Sequence, residues 1–274
     1  MKHILLPSGE QIPVLGQGTW HMGERRSVFK CEADALRLGL DLGMGLIDTA
    51  ELYSDAELVV AEAIKGRRDQ AFIVSKVLPS NASYKNTLKA CERSLSRLNI
   101  ECLDMYLLHW VSMSPVEETL AAFETLVKAG KIRYYGVSNL DFYDTQAAWH
   151  EPNGNSIATN QVLYNLNVRG IEWDLLPWCQ QQSMPVMAYS PLDQGQLDSS
   201  RLEGVARRHD VSCAQIALAW LLHQEGVIAI PKALDPIHIK QNYAALSISL
   251  TEQDLAEINQ LFPAPTGSSQ LKLY

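Results

Sequence analysis

The sequence predicts an α/β fold, a (β/α)8 TIM barrel with an N-terminal β-hairpin closing its bottom. Three observations carry that expectation. Eight short runs of β-forming residues alternate with longer stretches of helical periodicity. The length, 274 residues, is close to the ordinary size of such a barrel. The runs also finish, one after another, in polar or ionisable side chains, as barrel strands do where they open onto one rim.

Residues 3–14 read as the hairpin, two apolar runs around the turn-rich Pro7-Ser8-Gly9-Glu10. Strand-like runs follow near 14–18, 45–48, 72–75, 103–108, 132–137, 157–161, 185–189 and 227–230. Several are apolar throughout, as expected of strands covered on both faces. Val28 to Leu42, Leu88 to Leu98, Val116 to Val127 and Ala214 to Leu222 carry helical spacing. Ahead of the third, Ser114 is a cap residue, Pro115 a first-turn proline and Glu117-Glu118 early acids; Gly130 stops that helix. Pro263 to Tyr274, rich in Pro, Gly and Ser, reads as an irregular tail over the barrel or a disordered end. No linker or compositional shift divides the chain, so residues 1–274 read as a single domain.

Hydrophobic residues make up 47% and charged ones 20%, the balance of a soluble globular protein. The net charge of -8, without a Lys/Arg cluster, argues against a nucleic-acid partner. The apolar start, Met1 to Pro7, is too short for a signal peptide, and no run approaches the ~18 apolar residues of a membrane span. Five cysteines, odd in number and without a Cys-x-x-Cys pair, argue against a disulfide framework or a thiolate zinc site. They read as small buried hydrophobes, and the setting as cytoplasmic. Nothing suggests a dedicated interface, so a monomer is expected.

The strand ends are the informative positions: Asp48, Ser75-Lys76, His109, Ser138-Asn139, Asn160-Gln161, Tyr189-Ser190 and Pro231-Lys232, with Tyr53 five residues after Asp48. A phenol is a feeble acid at neutrality, but an ammonium about 4 Å away favours phenolate by on the order of 4 kcal/mol at an effective dielectric near 20. Lys76 is therefore expected to lower the pKa of Tyr53, with Asp48 keeping the lysine charged and placed. Such a phenol suits proton donation to a carbonyl oxygen gaining charge, and a neutral His109 would orient the same oxygen. Each residue alone has a blander reading. Asp48 caps a helix with Thr49, Tyr53 is a rim aromatic, Lys76 snorkels to water, and His109 is a satisfied, half-buried histidine. Only their meeting at one rim makes a catalytic group of them.

In order along essentially the whole chain, the sequence resembles the aldo/keto reductase family. The resemblance is carried by Gly16-Gln17-Gly18-Thr19-Trp20, Gly45-Leu46-Ile47-Asp48-Thr49-Ala50-Glu51-Leu52-Tyr53, Ser75-Lys76, Leu107-Leu108-His109-Trp110, Gly136-Val137-Ser138-Asn139, Asn160-Gln161, Tyr189-Ser190-Pro191-Leu192 and Ile230-Pro231-Lys232. It implies that Asp48, Tyr53, Lys76 and His109 form a catalytic tetrad with Tyr53 as general acid. It implies that Ser138, Asn139 and Gln161 hold a nicotinamide carboxamide, with Tyr189 stacked on the ring. Ser190, Pro191 and Leu192 would meet the pyrophosphate, Ile230 and Lys232 the 2′-phosphate end, and Gln241 and Asn242 the region around the adenine. Two places depart from the family pattern: Ala233 stands where a serine is usual and His238 where an arginine is usual. NADPH is the expected cofactor because Lys232 is retained, and NADH is possible because these departures weaken discrimination.

Short segments after Trp110 and after Leu261, and Leu78 near a position where many relatives carry tryptophan, imply an open pocket lined by Trp20, Met22 and Trp110. Within the family the chain resembles bacterial reducers of methylglyoxal and other small aldehydes. The alternatives are a reductase of keto-sugar acids or a low-turnover NADPH-binding redox sensor, against which the intact tetrad argues. A metal-dependent hydrolase would want His-x-His at the end of the first barrel strand, where His21 stands alone, so no metal is expected. A Rossmann dehydrogenase would want a third glycine where His21 stands.

Overall fold

The computed structural model describes residues 2–274. Strands β1 (His3–Leu5) and β2 (Gln11–Pro13) form the antiparallel hairpin, Ile4 opposite Ile12. Its turn passes through Gly9 at φ 86°, a conformation that favours glycine. The barrel strands are β3 (Gln17–Gly18), β4 (Leu46–Asp48), β5 (Phe72–Val77), β6 (Leu103–Leu108), β7 (Ile132–Ser138), β8 (Ile157–Leu163), β9 (Val186–Tyr189) and β10 (Val227–Ala229). The helices are α1 (Phe29–Asp41), α2 (Ala56–Ala63), α3 (Tyr84–Leu98), α4 (Val116–Lys128), α5 (Phe142–His150), α6 (Leu175–Gln181), α7 (Glu203–His209), α8 (Cys213–His223), α9 (Pro236–Ala244) and α10 (Glu252–Leu261).

Strands β3 to β10 pair in parallel and in sequence order. The two ends then meet: Gly16 N–H donates to the Ala229 carbonyl (2.8 Å), Ala229 N–H to Val14 (2.9 Å) and Gly18 N–H to Pro231 (3.1 Å). Closure leaves the sheet without a free edge. Among the described residues no helix is long and apolar enough to cross a membrane.

Side-chain parity divides the core in two. Leu46, Phe72, Val74, Met105, Leu107, Ala158, Met187, Ile228 and Ile230 fill the barrel, and Leu6 and Ile12 of the hairpin plug its bottom. Ile47, Ile73, Tyr106, Val137, Val162 and Ala188 face outward into the larger cluster beneath the helices. Burying each large apolar side chain contributes about 1.5–3 kcal/mol. The same alternation sets the polar groups. Asp48 follows Leu46 by two residues, Lys76 follows Val74, and His109 follows Leu107, so each points inward one pleat above the last apolar layer.

On β8 the parity changes. Tyr135 pairs with Ile157 and Val137 with Asn160, so β8 carries one extra residue, a bulge. Gln161 rather than Asn160 consequently faces the barrel. The Asn160 amide instead donates outward to the Leu140 carbonyl (2.8 Å) and Thr145 Oγ1 (2.9 Å).

Two sequence expectations need correction here. Helix α4 starts at Val116 with Pro115 extended in the N-cap position (φ -54°, ψ 135°), so Ser114 does not cap it. Only Cys91 and Cys179 are buried; Cys31 is exposed and Cys102 and Cys213 are half-buried, all five as free thiols.

The bulge is supported by Gly136, where a Cβ would lie 2.6 Å from the Thr159 carbonyl oxygen and 2.8 Å from Leu107 Cδ2. Gly136→Ala is expected to cost about 1–3 kcal/mol by overpacking and to lower Tm by roughly 3–10 °C in a thermal melt. An unchanged Tm would mean that β8 relaxes without cost.

Candidate active site

At the open end of the barrel the four expected residues meet. Lys76, 0% exposed, donates from Nζ to Asp48 Oδ2 (2.8 Å), to the Thr49 carbonyl (2.9 Å) and toward the Tyr53 hydroxyl (3.4 Å). An ammonium has three donors, and here each has an acceptor. The second Asp48 oxygen takes the Gln161 amide (2.7 Å), and Thr19 Oγ1 donates to the Asp48 carbonyl (2.9 Å). The Tyr53 hydroxyl lies 3.5 Å from His109 Nε2. Tyr53 reaches them from the loop between β4 and α2, and the Lys76 ammonium sits 4.9 Å from the centre of its ring. His109 Nδ1 is buried with no partner, which favours the neutral ring with its proton on Nε2, facing Tyr53.

The charge states correct one expectation. Burial pushes the Tyr53 phenol well above its ordinary value of 10, and the Asp48 carboxylate adds to the rise. Lys76 does not pull it down, because its charge is spent on Asp48 and the phenol faces a nearly neutral pair in a dry site. Burial also lowers Lys76, against the raising influence of Asp48. Burial first, and the Lys76 charge second, hold His109 down at about 2, so its imidazole is neutral at physiological pH as expected.

A cavity of about 640 Å³ opens beside this group. Beside the four residues, Trp20, His21, Leu52, Tyr53, His109 and Trp110 wall it, and Leu273 and Tyr274 of the tail line it as well. The Trp20 and Tyr53 rings lie 5.7 Å apart and those of His109 and Trp110 4.5 Å apart. Met22 is not in the wall: His21 takes a left-handed φ of 62°, and Met22, 1% exposed, turns into the core. Leu78 does not line the cavity either. The pocket is less open than the short loops imply, because the tail covers one side. The sequence does not mark His21, Leu52, Leu273 or Tyr274 as pocket residues: His21 reads there only as a lone histidine, and Leu52 only as part of the motif ending in Tyr53.

The other end is polar. Ser138, Asn139, Gln161, Tyr189, Ser190, Pro191, Leu192, Gln194, Gly195, Ile230, Pro231 and Lys232 line it. Ser138 Oγ donates to the Gln161 carbonyl (2.8 Å), and the Asn139 amide donates to the His109 carbonyl (3.1 Å). The Tyr189 hydroxyl donates to Asn139 Oδ1 (3.0 Å), so these side chains are tied to one another in advance. Gly18 packs its α-carbon on the closing strand, where a Cβ would lie 2.9 Å from the Ile230 carbonyl oxygen. Ala233, His238, Gln241 and Asn242 lie beyond this wall: Ala233 follows Lys232, and the others sit on α9, His238 exposed and Asn242 buried.

Removing one member of a buried ion pair strands the other. Asp48→Asn is expected to cost about 3–5 kcal/mol and to lower Tm by roughly 6–20 °C. The double variant Asp48→Asn/Lys76→Met should recover part of that loss in the same melt. A double variant as unstable as the two single losses added together would mean that the pair is not coupled.

A family model described as the aldo/keto reductase family matches residues 14–262. The chain is 51% identical over 280 residues to methylglyoxal reductase YeaE of Escherichia coli (strain K12), spanning 99% of each. It is 34% identical over 267 residues to a glyoxal reductase of Bacillus subtilis (strain 168), covering 94% of this chain and 92% of that one. Its fold matches the crystal structure of an aldo/keto reductase from Klebsiella pneumoniae in complex with NADP and acetate. That match has a TM-score of 0.96 and 47% identity over 100% of this chain and 99% of the other. The chain belongs to the aldo/keto reductase family.

Proposed function

We propose that this protein is an NADPH-dependent reductase of small, neutral aldehydes and 2-oxoaldehydes such as methylglyoxal, which it converts to alcohols. The observation that carries this reading is the Tyr53 hydroxyl within hydrogen-bond reach of both Lys76 Nζ (3.4 Å) and His109 Nε2 (3.5 Å) at the end of a half-apolar cleft. Support comes from the 51% identity to a methylglyoxal reductase and from the NADP complex of the Klebsiella relative.

The polar end of the cleft suits a dinucleotide. Ser138, Asn139 and Gln161 offer hydroxyl and amide groups to a carboxamide, Tyr189 a flat face, residues 190–195 a loop, and Lys232 an exposed cation for a 2′-phosphate. Bound there, NADPH supplies the hydride. The chain's own residues do the rest. His109, neutral, donates from Nε2 to the carbonyl oxygen and orients it. Tyr53, protonated because it is buried, gives up its hydroxyl proton as charge develops on that oxygen. Lys76 then faces a phenolate, and its ammonium, held by Asp48, stabilises the charge only once the proton has moved. Trp20, Leu52, Trp110 and Leu273 exclude water around a small substrate.

Among the described residues Lys232 is the one lysine or arginine lining the cleft, and the reading above gives it to the 2′-phosphate. A carboxylated substrate would therefore bury its charge without a fixed partner. This favours neutral carbonyls over keto-sugar acids.

Purified protein should oxidise NADPH with methylglyoxal at a kcat/KM at least about tenfold above that for a keto-sugar acid. Tyr53→Phe should lower the rate by roughly 10²–10⁴-fold. Retained turnover in that variant would remove Tyr53 from its role. The pH dependence has a definite sign. With His109 neutral down to about pH 2, reduction should show no inflection near pH ~6.5. It should fall on the alkaline side as Lys76 loses its proton below the ordinary 10.5, whereas alcohol oxidation, which needs the phenolate, should rise with pH. An acidic limb abolished by replacing His109 would contradict this assignment.

A further inference from the structure

We propose that Tyr274 is a positioning residue for the loop 190–195: its hydroxyl binds Asp193 and straps the C-terminal tail across the cleft, so that the loop opens only when this tie breaks. The proposal rests on the reading above that this loop contacts the dinucleotide.

Asp193 is an unusual carboxylate. It is buried, and no lysine or arginine pairs with it among the described residues. Its oxygens are met by the Asn167 amide (2.7 Å), the Asn165 amide (3.3 Å) and the Tyr274 hydroxyl. A buried carboxylate without a cation depends on such donors, and Tyr274 is the one that comes from the tail.

The loop also needs outside support. Ser190 (φ 47°), Asp193 (φ 53°) and Gln194 (φ 51°) all occupy the left-handed region without being glycine. Such backbone persists only where its surroundings hold it. Here the Asn165 amide holds the Ser190 carbonyl (2.9 Å), and the Asp193 cluster holds the next turn.

The tail is built as a strap. At its near end Ser268 Oγ donates to Asp174 Oδ2 (3.0 Å), and at its far end Tyr274 donates to Asp193. Between these ties residues 268–272 border a second cavity of about 740 Å³, with Leu271 alone among them touching the core. Beyond it, Leu273 and Tyr274 line the catalytic cleft. One hydroxyl therefore joins the tail, where it lines the cleft, to the loop 190–195. Burial, with Asp193 adding to it, raises the Tyr274 phenol to about 12, so the donor stays protonated at physiological pH.

The test is NADPH dissociation, followed by stopped-flow fluorescence after displacement with excess NADP. Tyr274→Phe keeps the ring and removes only the hydroxyl. It should speed dissociation about five- to tenfold, the effect of a charge-assisted hydrogen bond discounted for partial exposure, and move Tm by less than about 2 °C. Asp193→Asn should act in the same direction, and the double variant should be no faster than the faster single one. A Tyr274→Phe rate within about 1.5-fold of the parent, or independent effects of the two changes that multiply in the double variant, would overturn the proposal. A parent protein that binds NADPH but does not reduce methylglyoxal sinks the functional reading and leaves the strap measurable. One that does not bind NADPH overturns both.

Discussion

The Lys76–Asp48 ion pair inside the barrel is the constraint on which the rest of the site depends. A dry ammonium is costly unless all its donors are used, and strand geometry meets that demand with Asp48 Oδ2, the Thr49 carbonyl and the Tyr53 hydroxyl. The pair fixes the position of Tyr53, while burial, with the Asp48 charge adding to it, leaves the phenol protonated. A lysine free of Asp48 would favour phenolate from the start and remove the acid that the proposed reduction needs. The interaction with Lys76 grows only as the proton leaves, and this is the form in which binding lowers a barrier rather than deepening a ground state.

How far the site was legible in the sequence follows from this geometry. Strand parity is a local property, so Asp48, Lys76 and His109, each two residues past an inward apolar residue, were readable as one group. The β8 bulge is not local; it depends on how β7 lies against it, so parity alone does not separate Gln161 from Asn160, and only the family resemblance singles out Gln161. Met22 failed for a similar reason. Two residues after Trp20 it would share a strand face, but the left-handed turn at His21 sends it into the core.

The tail and the charge states were least legible. Tyr274 and Asp193 are 81 residues apart in the chain, and no periodicity or turn signal links them. Tyr53 and Lys76 taken as an isolated pair point in the wrong direction, because Asp48 is more than the lysine's partner. In the folded protein Asp48 also acts on the phenol, and burial outweighs both. Of the residues expected to meet the cofactor, Ala233, His238, Gln241 and Asn242 take their place from α9 and the segment before it, outside the wall of the central cleft. Their meaning depends on a ligand that extends beyond that wall.

The protonation of Tyr53 is the central claim, and it can be read without turnover. The near-ultraviolet absorbance of phenolate, taken as the difference between the protein and its Tyr53→Phe variant across a pH titration, isolates this residue from the other nine tyrosines. The account predicts no difference signal from neutrality up to the ordinary phenol value of 10. A phenolate signal from Tyr53 that titrates near neutrality would contradict it.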